Sequence, residues 1–101
     1  MAKEFSFKIQ DTKIRIVNTW FHGVKLYVNG EYRDYNNQFF ILSKQVLLSA
    51  NLEDLGVLEI EVKPGVISME LDAYLEQGRE RLHIYSSHDR ISLKAQRLIR
   101  D

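Results

Sequence analysis

No cysteine occurs anywhere in these 101 residues. That absence excludes a disulfide framework, a thiolate zinc site and a cysteine nucleophile. Proline is nearly missing too: Pro64 is the only one, and it precedes Gly65, so the pair reads as a turn and not as part of a rigid linker. The five glycines fit turns and form no phosphate-cradling loop. No apolar run approaches the roughly 18 residues that a membrane-spanning helix requires. No basic stretch leads into an apolar segment of signal-peptide character either, which makes the cytoplasm the expected location.

Net charge is also lacking, because 14 basic side chains balance 14 acidic ones. A neutral chain does not have the overall field expected of a dedicated DNA or RNA binder. The balance conceals a segregation along the chain. Residues 1–52 hold seven basic and four acidic side chains, residues 53–78 one and seven, and residues 79–101 six and three. Either these are solvated strand faces that pair across a sheet, or they form a dipolar surface that steers self-association or a charged partner.

What the chain has in abundance is alternation. With 45% apolar and 28% charged residues, it has the composition of one ordinary globular domain, residues 1–101. Phe5, Phe7 and Ile9 alternate with polar neighbours, as do Ile14 and Ile16, then Val24, Leu26 and Val28. The Asn29-Gly30 step that follows is a strong hairpin signal, since both central residues of a type I′ turn need positive φ. Leu58, Ile60 and Val62 continue the pattern, then Ile67, Met69, Leu71, Ala73 and Leu75, and after a turn at Gly78 the pair Leu82 and Ile84.

Three stretches read two ways. Residues 43–55 carry Leu48, Leu52 and Leu55 at helical spacing ahead of Gly56, yet Val46-Leu47-Leu48 favours a strand. Residues 66–76 alternate as a strand but have good helix propensity. Residues 88–100 suit a short helix, with Asp89 in the first turn and Arg97 and Arg100 in the last, or a final strand. The expected fold is an all-β antiparallel sandwich of about seven or eight short strands, with a short C-terminal helix as an option. The halves also echo each other: Ile14 and Ile60 lie 46 positions apart, Tyr27 and Tyr74 47, Gly30 and Gly78 48.

Residue patterns for catalysis are missing. His22, His83 and His88 lack metal-ligand spacing. Ser87-His88-Asp89 cannot form a relay, because consecutive side chains diverge. Glu59 and Glu61 share one strand face and Glu70 and Asp72 another, so four carboxylates could gather if those strands are neighbours. An open acidic face does not supply the apolar pocket that raises a catalytic carboxyl pKa, and no Asp-rich calcium loop is present. The expectation is a non-enzyme with no catalytic, cofactor-binding or metal-binding residues and no cofactor.

The aromatic side chains are the remaining signal. Trp20 shares parity with Ile14 and Ile16 and reads as core. Tyr27, Tyr32, Tyr35 and Tyr74 read as half-buried cross-strand partners or as exposed rings interleaved with Arg15, Lys25 and Arg33. Phe21 lies opposite Trp20, and the run Gln38-Phe39-Phe40-Ile41-Leu42 adds more apolar surface than one sheet face can hide. Phe21, Tyr27, Tyr32, Tyr35 and Phe39 are therefore the candidate interaction surface.

The run KIRIVNTWFHGVKLYVNGE, residues 13–31, resembles the opening of the FAIM-like domain, the β-sandwich of Fas apoptotic inhibitory molecule. The likeness lies in Lys13-Ile14, Gly23 and Tyr27-Val28-Asn29-Gly30, where the family uses Tyr-Val-Asp-Gly. It implies a non-enzymatic interaction domain, with no catalytic residues to carry over. The fragment VKLYVNGE is also similar to a hairpin common in laminin-G and concanavalin-like sandwiches. The expected role is thus a non-catalytic protein-interaction or structural module, with a homodimer or another protein as partner and no membrane. The rival is a carbohydrate- or small-ligand-binding sandwich that uses exposed Tyr and Trp rings; a nucleic-acid binder of OB type ranks behind both.

Overall fold

The computed structural model describes residues 2–19, 23–37, 45–62 and 70–87. Among the described residues alternation becomes strand: β1 Ala2–Ile9, β2 Thr12–Thr19, β3 Gly23–Val28, β4 Glu31–Asn36, β5 Gln45–Asn51, β6 Val57–Val62, β7 Leu71–Gln77 and β8 Glu80–Ser86. They form two four-stranded antiparallel sheets in chain order, β1-β2-β3-β4 and β5-β6-β7-β8. The chain is an all-β sandwich.

Short turns force neighbours to pair. Ile9 faces Thr12 across Gln10 and Asp11, Val28 faces Glu31 across Asn29 and Gly30, and Gln77 faces Glu80 across Gly78 and Arg79. Asn29 and Gly30 have φ of 51° and 82°, as the type I′ turn demands. Asn29 also extends the ladder: its N–H donates to the Lys13 carbonyl at 2.8 Å, and its Oδ1 accepts from the Lys13 N–H at 2.8 Å. The β5–β6 connection is a 3₁₀ turn at Glu53–Leu55, closed by the Gly56 N–H on the Glu53 carbonyl.

The inward residues of both sheets build one continuous core. Ile9, Ile14, Ile16 and Leu26 from the first sheet, and Leu48, Leu58, Ile60, Leu71, Leu75 and Ile84 from the second, are fully buried. Burying each such side chain is worth about 1.5–3 kcal/mol. The ambiguity at 43–55 resolves into strand followed by turn. A bulge between Val46 and Leu48 explains the unbroken apolar run there: Val46 faces out, Leu48 faces in, and Leu47 is the extra residue. The strand expected at 66–76 is described from Leu71 onward. Residues 66–69 lie outside the described ones, as do Trp20 and the optional helix at 88–100.

The sheets meet along two seams. At one, Phe7 of β1 stacks on Tyr85 of β8, centroids 4.4 Å apart and planes 7° from parallel. At the other, side chains of β4 satisfy backbone groups along β5. Arg33 donates to the Asn51 carbonyl at 2.8 Å, Asp34 Oδ2 accepts from the Ser49 N–H at 2.8 Å, and Asn36 Nδ2 donates to the Leu47 carbonyl at 3.2 Å. Residues 47, 49 and 51 point their backbone groups the same way, so this is an edge strand covered by polar side chains in place of a further ladder.

Candidate interaction faces

Period-two geometry sends every second side chain of each sheet outward, and the register decides which of them meet. On the first sheet, Glu4, Lys8, Lys13, Arg15, Val17, Lys25, Tyr27, Tyr32 and Tyr35 share the outer face. Arg15 Nε donates to Glu4 Oε1 at 2.5 Å, and its guanidinium lies 5.3 Å from the Tyr27 ring centre. The hydrogen bond and the charge of Glu4 raise the Arg15 pKa above its already high value. Tyr27 packs against Tyr32 with ring centres 5.8 Å apart.

Three expected surface residues therefore come together: Tyr27 is half-buried, Tyr32 is 55% exposed and Tyr35 is 41% exposed. Phe21 and Phe39 lie outside the described residues. Arg33, grouped with the tyrosines by sequence proximity, turns instead to the Asn51 carbonyl. Lys8 and Lys13 stand directly opposite each other in the β1–β2 ladder. Such like-charge pairing costs stability when nothing offsets it. Among the described residues Lys8, Lys13 and Lys25 make no salt bridge.

The outer face of the second sheet has the opposite character. Glu59 faces Tyr74 and Glu61 faces Asp72 across β6–β7, while Glu76 faces Arg81 across β7–β8. Carboxylates do cluster: Glu59, Glu61 and Glu76 surround Arg81 and Asp72 faces Glu61, while Glu70 lies just ahead of β7. Arg81 Nε reaches Glu59 at 3.2 Å and Glu76 at 3.8 Å, and its terminal nitrogen bonds Glu61. The guanidinium also lies 3.8 Å from the Tyr74 ring centre. Burial works against the Arg81 charge, and the hydrogen bonds to Glu61 and Glu59 outweigh it, so its pKa is raised.

Beside this clamp, Asp72 is only 3% exposed and its Oδ1 lies 2.8 Å from His83 Nε2. His83 in turn stacks on Tyr74, centres 4.7 Å apart. Sequence reading missed this Asp72–His83–Tyr74–Arg81 arrangement. Its signal was the outward parity of Asp72, Tyr74 and Glu76, but the partners come from β8, whose register shifts between Ala73 and Tyr74.

Arg81 is committed to carboxylates and His83 to Asp72. Among the described residues no three His, Asp or Glu side chains converge to hold a metal ion, and no helix is long and apolar enough to cross a membrane. Comparison with protein-family models, with curated proteins and with solved structures returns no match.

Proposed function

We propose that this chain is a non-catalytic protein-interaction module of the cytoplasm, which docks through the outer face of its first sheet. The observation that carries the reading is that exposed Tyr32 and Tyr35 share one sheet face with Arg15 and Lys25, Tyr35 opposite Lys25 and Tyr32 beside the Tyr27 ring that Arg15 covers. Tyrosine and arginine are the side chains most enriched where binding energy concentrates, because each offers a large, stiff contact area with a polar end. The FAIM-like resemblance of residues 13–31 points the same way and includes Tyr27 and the Asn29-Gly30 turn.

Photo-crosslinking in cells tests this. A benzophenone amino acid placed at Tyr32 or Tyr35 is expected to give discrete adducts with protein, while placement at exposed Asp54 or Arg79 gives none. Equal labelling from all four positions, or none from the tyrosines, would sink it.

A carbohydrate-binding reading draws on the same open rings, which have the form of a sugar-stacking surface. It expects retention on a glycan array that disappears in Tyr32→Ala and Tyr35→Ala, and a silent array rejects it.

A further inference from the structure

We infer that the partner docked on the first sheet's outer face is an extended acidic peptide segment, with carboxylates four residues apart and an apolar side chain midway between them. The inference deepens the interaction-module reading and rests on it.

The register lays the outward side chains out as a grid. Its end row is Lys8 and Lys13, directly opposite each other on β1 and β2. Two residues along, Ser6, Arg15, Tyr27 and Tyr32 form the middle row across all four strands. Glu4, Val17, Lys25 and Tyr35 form the third row. The one cation of the middle row is committed, because Arg15 bonds Glu4 and lies over Tyr27. Lys8, Lys13 and Lys25 make no ion pair among the described residues, and neither does Asp11 in the turn beyond the end row. Three uncommitted lysines against this one uncommitted carboxylate leave the face with surplus positive charge at both ends of the grid.

Spacing selects the occupant. Rows stand about 6.6 Å apart, since a strand rises about 3.3 Å per residue. An extended peptide has the same rise and turns every second side chain to the same side. Laid along β2 and β3, it therefore matches the grid row for row. Its first carboxylate sits between Lys8 and Lys13 and offsets their like-charge opposition. Its second, four residues on, reaches the row of Lys25 about 13 Å away. The side chain between them meets Tyr27 and half-buried Val17, where an apolar group fits and a further charge has no partner. Exposed Tyr32 and Tyr35 on β4 add contact area along one side of this track.

The middle row also decides against single-stranded nucleic acid. That ligand carries a phosphate on every nucleotide and is held by a continuous basic groove with ring faces to stack on. Here the run of uncommitted cations is interrupted, and the Tyr27 ring already packs against Arg15 and Tyr32.

Titration of the full chain with synthetic peptides, followed through its backbone amide NMR signals, tests the inference. The probe is Thr-Glu-Thr-Leu-Thr-Glu-Thr with both ends blocked. Its permutation Thr-Glu-Thr-Glu-Leu-Thr-Thr keeps the composition and breaks the spacing. Solvent-facing ion pairs contribute little each, so a dissociation constant on the order of 1 mM is expected. The probe should shift the signals of Lys8, Lys13, Lys25 and Tyr27, and the permuted peptide should bind at least about threefold more weakly. Lys13→Gln/Lys25→Gln should weaken the probe at least about fivefold, while Arg79→Gln in the exposed β7–β8 turn should leave it unchanged. Should the half-buried Lys25 position not tolerate the change, Lys8→Gln/Lys13→Gln, both exposed, takes its place with the same loss expected. Raising salt from about 0.01 M to about 1 M cuts the range of these charges from about 30 Å to about 3 Å and should weaken binding further.

No shifts at millimolar probe, shifts centred on other residues, or equal affinity for the permuted peptide overturns the inference. Each leaves the module reading to its own cross-linking test, which a protein partner without this acidic pattern would still satisfy. Tighter binding of a fluorescent oligothymidylate than of the probe overturns it as well and transfers the face to single-stranded nucleic acid.

Discussion

The two sheets are built alike and treat their charges differently. Each is a four-stranded meander with a tight turn before its last strand, and each places an arginine over an outward tyrosine, Arg15 over Tyr27 and Arg81 over Tyr74. In the second sheet the arginine is enclosed by Glu59, Glu61 and Glu76, so the charge network closes on itself. In the first, Arg15 has Glu4 alone and three lysines face solvent. Alternation decides which side chains face out; cross-strand register decides whether they neutralise one another. One face is thereby stiffened by its own ion pairs, while on the other Lys8, Lys13 and Lys25 make no salt bridge among the described residues.

The sharpest way to break the comparison lies in the turns that open each sheet. The first sheet tolerates Gln10 at φ 54° in an exposed hairpin, whereas the second depends on Gly56 at φ 120° and ψ −162°. That region is open to glycine alone, and a Cβ there would lie 2.1 Å from the Glu76 carbonyl oxygen. Gly56→Ala should cost at least about 3 kcal/mol, combining backbone strain with overpacking. Gln10→Gly should change stability by less than about 1 kcal/mol, and in the favourable direction. Urea denaturation decides it, and equal effects at the two turns would mean that the second sheet does not depend on this close approach.

Much of the architecture is readable from residues because alternation is a local property. Ile14, Ile16, Leu58, Ile60 and Leu75 all occupy the buried positions that their parity assigns. The echo at offsets of 46 to 48 also has a counterpart: Ile60 follows Ile14 as a core residue of the second strand in its sheet, and Gly78 follows Gly30 in the last turn. What parity does not encode is partnership. Nothing in Glu31–Asn36 states that β4 ends one sheet, except that it offers no buried apolar face, the mark of an edge. The bulge at Leu47 reads as helix or strand until the partner strand is known. Of the candidate surface, the tyrosines were legible as residues, but Lys8 opposite Lys13 and the carboxylates around Arg81 exist only through register.

The next test weighs the two arginines. Arg81→Ala leaves Glu59 and Glu61 crowded without their cation and uncovers the Tyr74 ring, at an expected loss of about 1 kcal/mol. Part of that loss should fade as salt is added, since the Arg81 side chain is 38% exposed. Arg15→Ala, with a single solvent-facing partner, should leave the melting temperature unchanged within error. Thermal unfolding of both variants at low and high salt gives the answer. Equal losses would show that the closed network contributes no more than one exposed pair.

The smallest effect probes the seam where the sheets meet. Burial beneath Phe7 raises the Tyr85 phenol above its ordinary pKa of about 10. Above that pH the unfolded chain gives up this proton while the folded chain still holds it. The unfolded state then binds fewer protons, and stability falls as pH rises. The contribution is complete below about pH 10 and is lost as pH climbs through the folded value. Tyr85→Phe keeps the stacked ring and removes the proton, so its unfolding free energy should decline less steeply between about pH 9 and 11. Identical slopes for the two proteins would mean that the hydroxyl is solvated in the fold, and that the seam is held by ring contact without desolvating the phenol.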